Sequence, residues 1–248
     1  MTIKQGLLLT SLALLTACSN APIISKQDNS DAMVVVIHGL SRSANSMSEL
    51  TSGLQKAGYQ TCVMDYASVR VSMDSLINET RRQLDSCTQD ANKVHLVGHS
   101  LGGLLIRYHL EADNQLQAQG KLGHVIMIGT PNQGSEVADH YAQKFWADWL
   151  GEVPKSLITY EDGFPQSLEQ PNYDVGVIAG TKPYRITQKR FSTPNDGLVS
   201  VESTKLDQMK DYWEIELPHH ELRSDPRVVT QVINYLQSGM FDHSEVSQ

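Results

Sequence analysis

The chain has little of what would let it cross a membrane, coat a nucleic acid or depend on cross-links. It holds only three cysteines in 248 residues, 19% of its residues are charged, and 28 acids against 20 bases leave a formal charge of −8. A disulfide-framed scaffold is shorter and denser in cysteine, and an electrostatic nucleic-acid footprint needs a basic surface, so neither class fits. The one long apolar run covers residues 6–17. It falls short of the roughly 20 residues a helix needs to cross a hydrocarbon core, so no transmembrane segment is expected. With 40% hydrophobic residues and weak charge the chain is not disordered, and its length suits one globular domain with a sizeable core.

The apolar run reads as an address. Lys4 precedes the leucine-rich stretch 7–15, the layout of a secretory signal. The run ends Leu15-Thr16-Ala17-Cys18, which resembles the lipobox of bacterial lipoproteins. That resemblance implies a signal peptide over 1–17 and a lipidated Cys18 at the mature N-terminus. Acyl chains there, at about 0.8 kcal/mol per buried CH₂, would tie the domain to a membrane. By the same resemblance Ser19, which is not Asp, implies sorting to the outer membrane of the cell envelope, facing the periplasm. Residues 18–31 are polar and aperiodic and read as a tether, with the folded domain spanning 32–248. An oxidising compartment would permit Cys62 and Cys87 to pair, although spacing alone does not bring two Cα atoms within bridging distance.

Short β-branched runs alternate with segments of helical period, the pattern of an α/β fold with a mostly parallel sheet and helices on both faces. Strands are expected at 33–37, 59–64, 93–97, 124–128, 174–179 and 212–217, most of them near-continuous apolar runs of the kind buried on both sides. Residues 71–87 place Met73, Leu76, Ile77, Leu84 and Cys87 on one helical stripe, and the last segment places Val229, Val232, Ile233 and Leu236 on another. Asp225-Pro226 supplies an N-cap and N1 pair for that final helix and Gly239 a stop.

The run KVHLV at 93–97 leads directly into Gly98-His99-Ser100-Leu101-Gly102 and then a helical run. A G-x-S-x-G at a strand-to-helix junction is what an exposed serine nucleophile requires, because the sharp turn tolerates no Cβ at its two glycine positions. The helix that follows aims its free N–H groups at a developing oxyanion, with Leu101 N–H as the donor. Upstream, the strand MVVVI ends in His38-Gly39-Leu40, and Leu40 N–H supplies a second donor while His38 reads as structural.

A serine hydroxyl needs a base, and the base a carboxylate that fixes its tautomer. Asp196 lies in Asn195-Asp196-Gly197, after the strand 174–179 and before the last strand, in the order Ser, Asp, His. The loop after the last strand offers adjacent imidazoles, His219 and His220. The remaining histidines (His38, His95, His99, His109, His124, His140 and His243) read as packed or solvated residues.

These segments resemble the α/β-hydrolase superfamily, and within it the lipase and esterase-like serine hydrolases. VVVIHGL occupies 34–40, LVGHSLGGLLIRYHL 96–110, IMIGTPNQGSEVAD 126–139, and NDGLVSVES follows from 195. The resemblance implies an α/β-hydrolase fold and an acyl-enzyme mechanism through Ser100, His219 and Asp196. In such relatives the base is commonly followed by Leu or Met at three residues and Pro at seven, which fits His219 with Leu222 and Pro226. The compressed Leu217-Pro218-His219 junction keeps His220 as the alternative.

No zinc or calcium ligand cluster is apparent, and this chemistry needs no cofactor. After the fourth strand, residues 132–150 carry Tyr141, Phe145, Trp146, Trp149 and Leu150 as an apolar helical face, and a small helical cap insertion over an acyl pocket is expected within 136–170. The expected substrate is an acyl ester or lipid, with no nucleic-acid partner. Acyl transfer to an alcohol or amine through the same triad is the alternative activity, and a non-catalytic envelope scaffold is a third reading.

Overall fold

The computed structural model of the chain describes residues 21–25, 32–144 and 147–244. In chain order its elements are β1 (Ile23–Ser25), β2 (Ala32–Ile37), α1 (Ser48–Lys56), β3 (Gln60–Val63), α2 (Met73–Thr88), β4 (Lys93–His99), α3 (Leu101–Ala112) and α4 (Gln115–Ala118). There follow β5 (Leu122–Ile128), α5 (Glu136–Ala142), α6 (Glu152–Ser156), β6 (Val175–Gly180), α7 (Val201–Thr204), β7 (Asp211–Ile215) and α8 (Pro226–Ser238). The strands form one sheet in the order β1-β3-β2-β4-β5-β6-β7. All neighbours are parallel except β1, which runs antiparallel to β3.

Period-2 alternation of the strands splits the core into two layers. Val35, Ile37, Leu96, Met127 and Val177 face a layer that includes Leu76 and Leu84 of α2 and Leu104 and Leu105 of α3. Val34, Val36, Val97, Ile126 and Ile178 face the other, against Leu50 and Leu54 of α1 and Val228 and Val232 of α8. Both faces are therefore dry, which is why MVVVI of β2 and VIMI of β5 run apolar without alternation. The strand C-termini of β2, β4, β5, β6 and β7 consequently share one edge, the place where open parallel sheets assemble sites.

The expected strands appear within about two residues of their sequence positions. The final helix begins with Asp225 accepting from Arg227 N–H and ends at Gly239 in the left-handed region at φ 76°. Its buried stripe, however, is Val228, Gln231, Val232, Tyr235 and Leu236, with Val229 and Ile233 only partly covered, so the helix is turned by about one position from the expected face. Two further differences concern the segments expected as tether and as cap. The segment expected as a tether contains β1, whose Ile23, Ile24 and Ser25 pair with Val63, Cys62 and Thr61. Three half-exposed edge residues carry too short a pattern to be seen as a strand. The apolar face expected over 132–150 is divided between α5 and a 3₁₀ turn at Ala147–Leu150, with α6 following.

A disulfide joins Cys62 of β3 to Cys87 of α2, with Cα atoms 5.8 Å apart. Cys18 and the signal-like run lie outside the described residues. No helix among the described residues is long and apolar enough to cross a membrane.

Candidate active site

Ser100 follows β4 and caps α3 with φ 56° and ψ −124°, a left-handed backbone that a residue with a Cβ adopts only when its surroundings impose it. The imposition comes from both sides. Ser100 N–H donates to Ile128 O of β5 at 2.9 Å, and its own carbonyl accepts from Gly103 N–H at 3.0 Å. A Cβ at Gly102 would sit 2.2 Å from Ile37 O, and one at Gly98 2.5 Å from Gly103 N. The helix is thus drawn so close to β2 and β4 that only glycine fits, which lifts the serine to the sheet edge.

Asp196 is fully buried and its two oxygens are divided between two tasks. Oδ1 accepts from Leu198 N–H at 2.9 Å and Val199 N–H at 2.8 Å, while Oδ2 meets His219 Nδ1 at 2.6 Å. The backbones are tied as well, with His219 N–H donating to Asp196 O at 2.9 Å. A buried carboxylate held by two N–H groups cannot reorient, so it fixes the imidazole with Nδ1 protonated and Nε2 free to accept. His220, the other imidazole of the pair, faces away from Asp196. Its Nδ1 accepts from Tyr184 Oη at 2.6 Å, and its N–H donates back to the same oxygen at 3.1 Å.

The loop after β2 lies against the serine, since a Cβ on Gly39 would be 2.9 Å from Ser100 Cβ. His38 is buried and neutral, its pKa lowered by burial. It donates from Nδ1 to Gly39 O at 2.9 Å, stacks on Tyr66 at 4.0 Å between ring centroids, and its carbonyl accepts from Tyr66 Oη. Ser41, at φ 55°, donates its N–H to Ser68 Oγ at 2.8 Å. These contacts shape the turn around Leu40. Among the described residues, no hydrogen bond within the protein occupies the N–H of Leu40 or Leu101.

Ser100, Leu40 and His219 line one cleft of about 280 Å³. Val137, Ala138 and Tyr141 of α5, with Leu150, Pro154 and Leu157, form its apolar wall. The cap expectation therefore falls partly on the cleft wall, but Trp149 does not contribute. Its side chain is exposed, with the Arg70 guanidinium 3.8 Å above its ring. Phe145 and Trp146 lie outside the described residues.

Tyr184, His99, Arg42 and Arg223 also line the cleft, and no motif assigns any of them a role there. Tyr184 braces the base turn through His220, and its ring fills the space beside Gly197, where a Cβ would be 2.4 Å away. His99 is buried beneath His219, with ring centroids 4.8 Å apart, and donates from Nε2 to His219 O at 3.1 Å. Burial, then the charge of His219, holds the His99 pKa well below the usual histidine range, so His99 stays neutral beside His219. Tyr184 reaches the site across 36 residues to His220, which spacing does not encode.

A largely parallel sheet with serine on a strained strand-to-helix turn and an acid and imidazole on later strand-end loops defines an α/β-hydrolase. Within that class the chain belongs to the palmitoyl protein thioesterase family, whose model matches residues 33–176, from β2 through the serine turn to β6. Family membership makes it a carboxylic ester hydrolase in the broad sense that includes thioesters. The matched stretch ends before Asp196 and His219. No curated protein sequence matches the chain. Among solved structures, the mature form of a Bacillus licheniformis lipase has a similar fold with TM-score 0.67 and 22% identity, over 87% of this chain and 94% of that one. A metagenomic carboxyl esterase gives TM-score 0.67 at 14% identity, over 85% and 77% of the two chains. The phospholipase PlaB from Legionella pneumophila gives 0.56 at 18% identity, over 70% of this chain and 45% of that one.

Proposed function

We propose that the protein is a serine hydrolase of long-chain acyl esters or thioesters, with Ser100 as nucleophile, His219 as base and Asp196 as the acid that orients it. The observation that carries this reading is the buried Asp196–His219 pair, whose imidazole lines the same cleft as a serine held in left-handed backbone. Ser100 Oγ attacks the acyl carbonyl carbon and passes its proton to His219 Nε2. The tetrahedral oxyanion accepts from the Leu40 and Leu101 N–H groups, at the positive end of the α3 dipole. Collapse breaks the ester bond, and His219 returns the proton to the departing alkoxide or thiolate. Water, deprotonated by His219, then cleaves the acyl-serine to a carboxylic acid and restores Ser100. Asp196 stays ionised throughout and stabilises the imidazolium.

The apolar wall and the family's name support a lipid-like acyl group. The lipobox-like run ending at Cys18 supports a lipid anchor at the bacterial envelope, and the Cys62–Cys87 disulfide suits an oxidising compartment. The test is mass-detected labelling by a fluorophosphonate alongside hydrolysis of p-nitrophenyl esters of increasing chain length. Label confined to Ser100, with labelling and turnover lost in a folded Ser100→Ala variant, is the expected result. Unchanged turnover in that variant would remove Ser100 from the mechanism. Product analysis with added alcohols separates hydrolysis from acyl transfer, and a Cys18→Ala variant should leave the membrane fraction.

A further inference from the structure

We infer that Arg42 and Arg223 form an anion subsite at the cleft and that the substrate's leaving group carries a phosphate. This rests on the serine-hydrolase reading above and adds to it the chemistry of the group that departs.

The first observation is an imbalance of charge. The protein is acidic overall, yet among the described residues no aspartate or glutamate lines the cleft, while two arginines do. Several basic side chains elsewhere sit on carboxylates, among them Arg81 on Asp113, Arg227 on Asp225, Lys155 on Asp148 and Lys210 on Asp174, while Arg107 is held by carbonyls and Arg70 lies over Trp149. Among the described residues Arg42 and Arg223 have no such partner. Arg223 is instead fixed by neutral acceptors, donating from Nε to Ser46 O at 3.0 Å and from Nη1 to His220 O. Its geometry is set without its charge being cancelled. Among the described residues Arg42 makes one hydrogen bond, from Nη1 to Ser41 O at 3.5 Å. The two guanidiniums repel one another closely enough that Arg42, after burial, lowers the Arg223 pKa. The nearby carboxylates are engaged elsewhere: Glu221 faces His220 Nε2 at 3.7 Å, Asp225 holds Arg227, and Asp65 accepts from Ala44 N–H. Unpaired like charges held together at a substrate cleft are stabilised when an anion enters between them.

The second observation is where they sit. A leaving group must depart beside the base, because His219 protonates it. Arg223 is hydrogen-bonded to the carbonyl of His220, on the base's own turn, and Arg42 lies two residues beyond Leu40 on the oxyanion loop. The wall built by Val137, Ala138, Tyr141, Leu150, Pro154 and Leu157 carries no charge and suits the acyl chain. The positive charge therefore belongs to the departing side. Two guanidiniums with several planar donors match the multiple oxygens of a phosphate monoester or diester better than a single point charge. A glycerophospholipid headgroup and a phosphate-bearing thiol carrier share this chemistry.

The test compares matched neutral and phosphate-bearing substrates on the full-length protein. One arm pairs monopalmitoylglycerol with palmitoyl lysophosphatidic acid; the other pairs palmitoyl-N-acetylcysteamine with palmitoyl-coenzyme A. The expected result is a preference in kcat/KM for the phosphate-bearing member of about tenfold or more in one arm, which also identifies the source of the phosphate. The preference should shrink in 0.5 M salt and in Arg42→Gln, an exposed side chain whose loss does not threaten the fold. Arg223→Gln should act in the same direction, Arg223→Lys should recover part of the preference, and thermal melts verify that each variant is folded. Equal kcat/KM for the two members of both pairs, or a preference untouched by either glutamine variant, overturns the subsite while leaving the hydrolase reading intact. Failure of the parent to turn over any of the four, without fluorophosphonate labelling of Ser100, overturns both.

Discussion

Asp196→Asn isolates the orienting role of the carboxylate, because the structure dictates how the new amide must sit. Oδ1 accepts from Leu198 N–H and Val199 N–H at a position with no solvent exposure. Turning an NH₂ group toward those two donors would leave both unpaired, at about 1–3 kcal/mol each. The amide oxygen therefore stays on the loop and the NH₂ faces His219 Nδ1. Two donors cannot meet across the 2.6 Å of that contact, so the ring shifts to the tautomer with bare Nδ1 and a proton on Nε2. That nitrogen then has no lone pair for the serine proton. Loss of the correct tautomer at a serine triad costs about 10⁴ in kcat, or about 5.4 kcal/mol of transition-state stabilisation. The assay is steady-state hydrolysis of a p-nitrophenyl acyl ester together with the rate of fluorophosphonate labelling. Both rates should fall together with KM little changed, while the melting temperature moves by only a few degrees because the two backbone bonds survive. A folded variant retaining kcat within tenfold of the parent would refute the assignment of Asp196 and send the search for the acid elsewhere.

Opening the Cys62–Cys87 bridge, which closes a separation of 25 residues, should lower the unfolding free energy by about 3.5 kcal/mol on the chain-entropy estimate; urea curves with and without reductant measure it, and coincident midpoints would count against a structural role. His109 is buried, donates from Nε2 to Thr80 Oγ1 at 2.8 Å, and burial followed by Arg81 pushes its pKa down to about 3. Below the unfolded value near 6.5 the unfolded chain binds this proton first, so the contribution is fully present above pH 6.5 and is lost as the pH falls toward 3. At pH 5 the loss reaches about 2 kcal/mol at most, and His109→Gln should flatten the urea midpoint between pH 7 and 5 relative to the parent; an unaltered slope contradicts the burial argument. Gly102→Ala puts a methyl 2.2 Å from Ile37 O and should cost more than about 3 kcal/mol or abolish soluble expression, whereas a melt within a degree or two of the parent would show that the close contact of α3 with β2 is wrongly placed.

The sheet was legible because its strands are buried on both faces. Such a strand has no polar side to interrupt it, so MVVVI and HVIMI stand out from any helix pattern, and the serine turn announces itself where one of these runs meets glycine. Asp196 is expected as the acid from chain order alone, since its Asn-Asp-Gly surroundings also suit a surface turn; in the structure a pair of N–H groups folds that turn inward over Oδ1, and Oδ2 meets His219. The cap region misled for the opposite reason. Its aromatics recur at helical spacing, but the backbone is captured from outside: Arg70 N–H donates to Leu150 O at 2.8 Å, Met73 N–H to Glu152 Oε2 at 3.0 Å, and Gly151 takes φ 95° to let the chain pass Arg70. Long-range hydrogen bonds there outcompete the local preference for one continuous helix.

The neighbouring imidazoles show most clearly where residue pattern stops and geometry begins. His219 and His220 are the same residue type on the same turn, and no intrinsic property separates them. The separation comes from two partners distant in sequence, a carboxylate that takes His219 Nδ1 and a phenol that takes His220 Nδ1. Under the proposed mechanism Tyr184 is a positioning residue: its hydrogen bonds to His220 stop the turn from rotating and offering the other ring to Asp196. Tyr184→Phe removes the hydroxyl while keeping the ring against Gly197. If this bracing is real, that variant should lower kcat several-fold and leave the fold stable, with KM for a neutral ester little changed. Unaltered kcat would show that the Asp196 contact holds the turn by itself.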